Sequence, residues 1–307
     1  MISITTDNNK EISMTIATVG AAKITRIEET YGHFFEAKKF FADWHDEIVA
    51  PHLSWMVPNH YDPASGYLKL SIHSWLLEVG GKKILIDTCV GNHKSRKHRP
   101  FWDNLNTPYL ERLATAGAKP EEIDLVMCTH LHVDHVGWNT RLANGRWVPT
   151  FPNAKYVWSK TDFEHFSAID RDPEKGPAIG GAMRDSVYPI VEAGLAQMVD
   201  GTETIEEHLS LTPAPGHSPG HVLINLTSQG KQAYFSGDIL HHVIQVYHPA
   251  WNSFACVDQP TARTSRRMTL EKCAGSGALL MPQHFGAPHV CHIDTNGDGF
   301  TPRFVER

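Results

Sequence analysis

The sequence predicts one layered α/β domain, and three observations support that prediction. Strand-like apolar runs alternate with helix-like segments along the chain, glycine turns join neighbouring runs, and no low-complexity linker divides the 307 residues. Hydrophobic residues are 41% of the chain and charged residues 20%, which is typical of a globular protein with a sizeable core. We therefore expect a polar tail or a short added strand over residues 1–20 and a single domain over 21–307.

The first half of the chain predicts mainly strands. The run AKITRIEE alternates apolar and polar residues as a strand does, and two later β-runs meet at Gly80-Gly81, which is a good hairpin signal. The predicted elements are, in order, a strand over 22–29, a loop-like aromatic stretch over 31–67, a hairpin over 68–92, a helix over 107–117 capped by Thr107, and a short buried strand that begins at Ile123.

The second half repeats this pattern less regularly. Its predicted elements are a strand over 154–159, a helix over 186–199 despite Pro189, a strand that runs into a proline-glycine loop over 208–221, a hairpin turning at Gln229-Gly230, a helix over 261–277 and a strand from Ala278 that ends in a loop. The segment DTNGDGF begins like a calcium-binding loop, but its twelfth position is Val305, so we expect a polar turn there.

Composition and charge argue against several classes of protein. The five cysteines are widely spread and contain no C-x-x-C pair, which indicates small buried hydrophobes in a reducing compartment rather than a disulfide framework or a zinc ribbon. The net charge of -6 argues against a general nucleic-acid binder, and the basic segment 93–99 is predicted to be a solvated loop. No run approaches the roughly 18 apolar residues of a membrane span, and the first residues lack a secretory signal, so we expect a cytoplasmic protein with no membrane partner.

Four metal-binding side chains lie close together in the segment CTHLHVDHVGW, residues 128–138. In extended chain, residues two apart face the same way, so His130 and His132 can present their imidazoles to one point. Asp134 and His135 follow at a tight step and can turn toward a neighbouring point. Imidazole and carboxylate groups suit zinc, and also cobalt, manganese or iron. The segment therefore predicts one loop that serves two metal ions.

Three further ligand types each follow an apolar run. His217 lies in PAPGHSPGH, where prolines prevent a helix and glycines let the backbone approach closely. Asp238 follows the strand QAYFSG, and a carboxylate there could bridge two metals with one oxygen on each. His284 follows the strand ALLMPQ. Together with the histidine cluster, these residues supply enough ligands for two ions.

This succession of motifs resembles the metallo-β-lactamase superfamily in its dinuclear form: H-x-H-x-D-H after a strand, then P-G-H-S-P-G-H, then S-G-D, then a late histidine. The resemblance covers nearly the whole chain from about Ala21. It implies a four-layer αββα sandwich with the site at one edge between the sheets. It also implies one metal held by His130, His132 and His217, a second held by Asp134, His135 and His284, and Asp238 bridging them. Residues that would support these ligands are Asp87, Thr129, Ser218 and His221.

The implied reaction is hydrolysis of a lactone or other ester-like bond by a hydroxide that bridges two divalent metal ions, with zinc expected first. Asp134 or Asp238 would carry the proton to the leaving group. The overall length, the segment SGDILHHVIQVYHPAW and the late helix followed by MPQHF most resemble a branch that contains methyl parathion hydrolases and acyl-homoserine lactone lactonases. Well-studied lactonases have a tyrosine three residues after the bridging aspartate. This chain has His241 there, and His241 could polarise the substrate or donate a proton as the tyrosine does. The alternatives are that Tyr247 reaches in, or that His241 has a structural role.

The expected partner is a small ester-like molecule, and a homodimer is left open. After a lactonase or esterase, the alternatives are an organophosphate triesterase, and then a β-lactamase, a nucleic-acid phosphodiesterase, an iron dioxygenase or a non-catalytic metal-binding protein. The aromatic residues near the motifs either line the substrate pocket or belong to the ordinary core, and the core is the expectation favoured here; these residues are Trp138, Trp251, Phe254 and Phe285. The stretch 31–67, with Trp44, Trp55 and Met56, could cover the pocket's mouth.

Overall fold

The computed structural model describes residues 15–305. Most of the predicted tail or added strand over 1–20 lies outside the described residues, and Thr15–Val19 at its end form the first strand. The strands are β1 (Thr15–Val19), β2 (Ala22–Glu36), β3 (Tyr61–Asp62), β4 (Tyr67–Val79), β5 (Lys82–Ile86), β6 (Leu125–Met127), β7 (Thr140–Ala143), β8 (Arg146–Pro149), β9 (Lys155–Ser159), β10 (Ala196–Val199), β11 (Thr204–Glu206), β12 (Leu209–Pro213), β13 (Val222–Ser228), β14 (Lys231–Gly237), β15 (Leu279–Pro282), β16 (Cys291–Asn296) and β17 (Gly299–Phe304). The α-helices are α1 (Ala37–Phe40), α2 (Asp46–Val49), α3 (Leu53–Met56), α4 (Tyr109–Thr115), α5 (Lys160–Arg171), α6 (Tyr188–Glu192), α7 (Ile244–Tyr247) and α8 (Gln259–Ser276).

Within this range the strands form two large sheets and one small hairpin. The first sheet has the order β1-β2-β4-β5-β6-β9-β10, with β3 paired to β4, and the second runs from β11 to β17 in chain order. Each sheet combines antiparallel ladders with a parallel part, which is β5-β6-β9-β10 in the first sheet and β14-β15 in the second. Strands β7 and β8 form the separate hairpin.

Alternating side chains divide the interior into three apolar layers. On β13, Val222 and Ile224 join the layer between the two sheets, whereas Leu223 between them packs in the layer that contains Leu270 of α8. On the first sheet, Val126 packs in the outer layer with side chains of α4 and α6. The order is therefore helices, sheet, sheet, helices, which confirms the predicted four-layer αββα sandwich. Burial of each fully buried aliphatic side chain in these layers stabilises the folded state by roughly 1.5–3 kcal/mol.

Both predicted glycine hairpins and the long helix near the end of the chain are confirmed, as is the polar turn between β16 and β17. Three other local predictions are wrong. The loop-like stretch 31–67 contains the end of β2, three short α-helices, one 3-10 turn and β3. Thr107 does not cap α4, because its hydroxyl donates to Asn92 instead. The helix predicted over 186–199 ends at Glu192, since Gly194 adopts a positive φ of 71° and the chain then turns into β10.

Glu29 connects β2 to the loops beside the histidine cluster. Its side chain is buried and accepts hydrogen bonds from the backbone of Val90 at 2.8 Å and Gly91 at 3.0 Å, and from the indole of Trp138 at 2.6 Å. Burial raises the pKa of Glu29 to about 7, although these donors and Arg112 act in the opposite direction. One carboxyl group thus fixes two loops to the sheet.

No helix of residues 15–305 is long and apolar enough to cross a membrane.

Replacing Glu29 with leucine keeps the side chain's size but leaves three buried donors without an acceptor. We expect the free energy of unfolding at pH 5.5 to fall by on the order of 2–4 kcal/mol. A raised folded-state pKa means that the stability from this group is full below the unfolded value and is lost as pH rises through about 7, so the cost should be smaller at pH 8. Urea unfolding at both pH values measures this, with exposed Glu47→Leu as the control. Equal losses at the two pH values would contradict the assignment.

Candidate metal centre

Five loops meet at one edge of the sandwich, and each begins soon after a strand. They carry Asp87 after β5, residues 130–135 after β6, His217 after β12, Asp238 after β14 and His284 after β15. Because β5 and β6 are parallel in one sheet, and β14 and β15 in the other, the carboxyl ends of each pair lie at the same edge. The structure brings all seven predicted ligands together at this edge.

Four of these ligands form a first group: His130, His132, His217 and Asp238, with one ligand atom of each within 4.8 Å of the others. Nε2 of His217 lies 3.1 Å from Nε2 of His130 and 2.7 Å from Nδ1 of His132. Imidazole nitrogens that face each other at such distances need a shared proton or a cation. A metal ion meets that need for all three rings.

The second group consists of Asp134, His135 and His284, again within 4.8 Å. Nε2 of His284 lies 3.6 Å from Oδ2 of Asp134, and Nε2 of His135 lies 3.9 Å from its Oδ1. Burial opposes protonation of His135, but the carboxylates of Asp238, Asp87 and Asp134 outweigh it and raise the pKa of that ring well above its ordinary value. The surroundings of this second group therefore favour positive charge.

Asp238 lies between the two groups, with one oxygen toward each. Its Oδ1 is 2.9 Å from Nε2 of His284 and 3.3 Å from Nε2 of His135. Its Oδ2 is 3.2 Å from Nε2 of His217 and 3.8 Å from Nε2 of His130. This is the division of oxygens that a bridging carboxylate requires.

The donor set fits two divalent cations. Nε2 of His135 and Oδ1 of Asp238 are both buried without a hydrogen-bond partner among the described residues. Burial lowers the pKa of His130 and His217 well below the ordinary value and that of His132 to about 4, so these rings present lone pairs rather than protons. Neutral imidazoles and carboxylates are ligands for zinc and for other first-row divalent ions. The two groups could hold one ion each.

Asp87 orients two of the histidines from beneath the loop. Its Oδ2 is 2.9 Å from Nδ1 of His135 and accepts the hydroxyl of Thr129 at 2.8 Å, while its Oδ1 accepts the backbone N–H of Thr129 at 2.7 Å. The oxygen of Thr129 lies 3.1 Å from Nδ1 of His130. With Nδ1 of each ring engaged in this way, Nε2 is left to face the site. The predicted supporting roles of Asp87 and Thr129 agree with these contacts.

Asp162, which no sequence motif singles out, ties together the two loops that carry the histidines of the first group. This buried carboxylate at the start of α5 accepts the backbone N–H of Leu131 at 3.2 Å, the hydroxyl of Ser218 at 2.8 Å and the backbone N–H of Gly220 at 2.6 Å. Ser218 therefore fixes its loop through Asp162 and not through an imidazole. An acidic residue in the first turn of a helix is common, so the sequence carried no distinctive signal for this role.

His221 positions Asp238 through the backbone. Its Nε2 accepts the N–H of Asp238 at 3.0 Å, and burial lowers the pKa of His221 to about 3, so that nitrogen is unprotonated. Gly237 precedes Asp238 with a φ of +46°, and an added Cβ there would collide with Thr129 and would lie 2.7 Å from Nε2 of His221. Glycine at position 237 therefore allows the end of β14 to lie close to the histidine loop.

His241 faces the site, and the other side chains considered with it do not. Nε2 of His241 lies 3.3 Å from Oδ2 of Asp238, and its ring stands 4.7 Å from that of His217. Burial lowers the pKa of His241, although Asp238 opposes the shift. His242 points away and lies 2.9 Å from the carbonyl oxygen of His60. Tyr247 stacks on Trp55 at 5.3 Å and is not among the residues that line the cleft, so the prediction that it could reach the substrate is wrong.

A cleft of about 900 Å³ opens over the two ligand groups. Its floor is formed by side chains of the two groups and by His241, and its apolar walls by Phe35, Phe40, Leu70, Ile72, Trp102, Val133, Ile179 and Phe254. Of the aromatic residues predicted near the motifs, Phe254 lines the cleft, whereas Trp138, Trp251 and Phe285 are buried in the core. The stretch 31–67 does contribute to the cleft, but through Phe35 and Phe40 rather than through Trp44, Trp55 or Met56.

The basic segment 93–99 is not simply a solvated loop. Lys94 and Arg96 are buried, and Arg96 forms a two-pronged ion pair with Asp185 at 2.6 and 2.8 Å. The following residues, Lys97 to Arg99, line the cleft. The prediction is therefore wrong for Lys94 and Arg96, because their pairing with Asp185 could not be read from the local sequence, whereas Lys97 and His98 are exposed as expected.

This chain belongs to the metallo-beta-lactamase superfamily, whose family model matches residues 68–284 and so includes every ligand position. Ribonuclease TTHA0252 of Thermus thermophilus is 25% identical over 173 residues, which are 53% of this chain and 34% of the relative. The N-acyl homoserine lactonase of Bacillus thuringiensis is 24% identical over 165 residues, which are 50% of this chain and 57% of the relative. The chain thus spans about a third to somewhat more than half of the length of these curated relatives.

A solved structure shows the same fold over nearly its whole length. AidC, described as a dizinc quorum-quenching lactonase in complex with a product, matches this chain with a TM-score of 0.77 at 22% identity. The match covers 97% of this chain and 99% of that one. The αββα architecture is therefore shared from end to end.

Replacing Asp162 with asparagine should weaken metal binding without unfolding the protein. An amide keeps an acceptor for one donor but loses the second oxygen that holds the Leu131 and Ser218 contacts, so the first group is held less firmly. We expect an affinity for zinc lower by roughly 10–100-fold, measured by competition with a chromogenic chelator. Asp172→Asn, at the partly exposed residue that follows the last turn of the same helix, is the matched control. Equal affinities for the two variants would show that Asp162 does not support the site.

Proposed function

We propose that this protein is a metal-dependent hydrolase that opens a lactone or cleaves another ester bond in a small molecule. The observation that carries the proposal is Asp238, whose two oxygens divide between two ligand groups on the floor of an apolar-walled cleft. The N-acyl homoserine lactonase among the relatives and the dizinc lactonase of the same fold support this class of reaction.

The two ions that we propose are zinc. His130, His132 and His217 would hold one, Asp134, His135 and His284 the other, and Asp238 would lie between them. When bound, such a pair supplies a water with a pKa near 7 and a Lewis acid for the ester carbonyl. The three carboxylates around His135, at Asp87, Asp134 and Asp238, offset part of the positive charge that the ions would bring.

The chain itself would supply the proton transfers. Asp134 and Asp238 both line the cleft, and each keeps a small exposed surface there. A carboxylate oxygen in that position can take the proton of an attacking water and return it to the departing alkoxide. We assign this role to Asp238 or Asp134, in agreement with the sequence analysis.

His241 would act on the oxygen of the substrate. It lines the cleft, its Nε2 lies within 3.4 Å of Asp238 and Ser253, and its Nδ1 is buried with no hydrogen-bond partner in residues 15–305. Gln245 fixes its backbone by accepting the N–H of His241 at 2.7 Å. We propose that His241 donates a hydrogen bond to the ester oxygen, in place of the tyrosine that well-studied lactonases have at this position.

The first test is a comparison of three substrates with the zinc-loaded protein: N-hexanoyl-homoserine lactone, methyl parathion and a chromogenic β-lactam. We expect the lactone to be opened with the highest kcat/KM, and Asp238→Ala to lower that value by more than about a hundredfold because it removes the bridging ligand. Exposed Asp43→Ala should leave it unchanged. Faster methyl parathion hydrolysis would favour the triesterase, and Asp238-independent turnover of all three would refute the proposal.

A second test separates a catalytic role of His241 from a structural one. His241→Phe keeps a ring on the floor of the cleft but removes both nitrogens, so kcat for the lactone should fall by roughly a hundredfold, with KM and bound zinc nearly unchanged. His45→Phe, at an exposed position, is the control. An unchanged kcat with a lower melting temperature would assign His241 to structure alone.

A further inference from the structure

One wall of the cleft carries positive charge. Lys97 and Arg99 lie on it, and Lys175 lies there too but pairs with Asp172 at 3.1 Å. The carboxylates that line the same cleft are Asp134 and Asp238, which face the metal groups. The wall is therefore cationic although the whole chain has a net charge of -6. Such a local reversal of sign attracts an anionic molecule.

The backbone of this wall is held in place from within. The carboxylate of Asp185 accepts hydrogen bonds from both Nη1 and Nη2 of Arg96. Its Oδ1 also lies 3.5 Å from Nζ of buried Lys94. Arg99 then closes a turn on Arg96, since its N–H donates to that residue's carbonyl at 2.6 Å. Arg96 and Lys94 thus pair with Asp185 inside the fold, whereas the side chains of Lys97 and Arg99 line the cleft.

Arg99 is the best placed of the cleft-facing cations. Its guanidinium lies 5.7 Å from the ring centre of Phe35, 6.0 Å from Trp102 and 5.8 Å from Phe254, all of which line the cleft. Within residues 15–305 no oxygen accepts a hydrogen bond from it. An arginine held by aromatic faces keeps its in-plane N–H donors free, and that fork matches the two oxygens of a carboxylate.

An apolar surface connects Arg99 with the metal groups. Phe254, which contacts Arg99, lies 5.4 Å from Phe40, and Phe40 lies 5.5 Å from the ring of His241 beside Asp238. Phe35 also packs on Phe40 at 4.9 Å. A ligand that reaches from the metals to the guanidinium would therefore lay an apolar segment along these rings.

We propose that the substrate is an ester or lactone whose acyl chain ends in a carboxylate, and that Arg99 binds this carboxylate. The inference rests on the proposed hydrolase function, because it places the scissile bond at the metal groups. Phe35, Phe40 and Phe254 take the chain between the two polar ends. Arg99 is then a specificity-determining residue, and a neutral acyl chain of equal length is the poorer substrate.

Matched chromogenic esters test this with the zinc-loaded protein. The pairs are 4-nitrophenyl hexanoate with mono-4-nitrophenyl hexanedioate, and the corresponding decanoate with decanedioate, each corrected with Asp238→Ala. We expect kcat/KM to favour the acid ester of at least one pair by about tenfold at low salt, and less at 0.5 M NaCl. Arg99→Gln should bring the acid-to-neutral ratio of kcat/KM near one. Arg141→Gln, exposed and outside the cleft lining, should keep the preference.

Calorimetry of product binding tests the role of Arg99 without any turnover. The dicarboxylates should bind the zinc-loaded protein about tenfold more tightly than the monocarboxylates, and Arg99→Gln should abolish that difference. Equal hydrolysis and equal binding of the acid and neutral forms would overturn the role of Arg99 and leave the hydrolase standing. Arg99-dependent binding without Asp238-dependent hydrolysis would retain the carboxylate site and refute the proposed function instead.

Discussion

The structure depends on one constraint, which is that several histidine and aspartate side chains are buried close to one another at the edge of the sandwich. Five imidazoles and two carboxylates converge in a small volume, and ring nitrogens face each other at 2.7 and 3.1 Å. Without a cation, groups in such a position lose hydration and gain little in return, which costs several kcal/mol. With a cation, the same arrangement becomes favourable, so metal binding and folding stability are coupled. Asp238 is central because its two oxygens belong to both halves of the cluster.

The scaffold meets this constraint by placing every ligand on a loop at the end of a strand and by fixing the histidine loop and the His217 loop with buried acids. Asp87 holds the histidine loop, Asp162 joins it to the loop of His217, and Glu29 anchors the neighbouring turns to β2. These acids contribute hydrogen bonds to buried N–H groups that would otherwise be unsatisfied. The rigidity of the site thus comes from residues that do not touch the metal positions, while the cleft walls remain free to select the substrate.

The sequence predicted those features that depend on local chemistry or on motif order. The glycine hairpins, the helix over α8 and the seven ligand positions follow from residue type and spacing, and the αββα arrangement followed from the resemblance that the motifs carry. Contacts between distant segments were not predictable in this way. Asp162 is an ordinary acid in a first helical turn until α5 places it under two loops. Likewise, Arg99 belongs to a segment that looks solvated until Asp185 and three aromatic rings hold it at the cleft.

The central claim is that the two ligand groups bind two metal ions with Asp238 shared between them. The most direct measurement is anomalous X-ray diffraction from crystals of the zinc-loaded protein, recorded on both sides of the zinc absorption edge. We expect two zinc peaks per chain, one among His130, His132 and His217 and one among Asp134, His135 and His284, each contacting a different oxygen of Asp238. A single peak, or two peaks that both contact the same Asp238 oxygen, would contradict it.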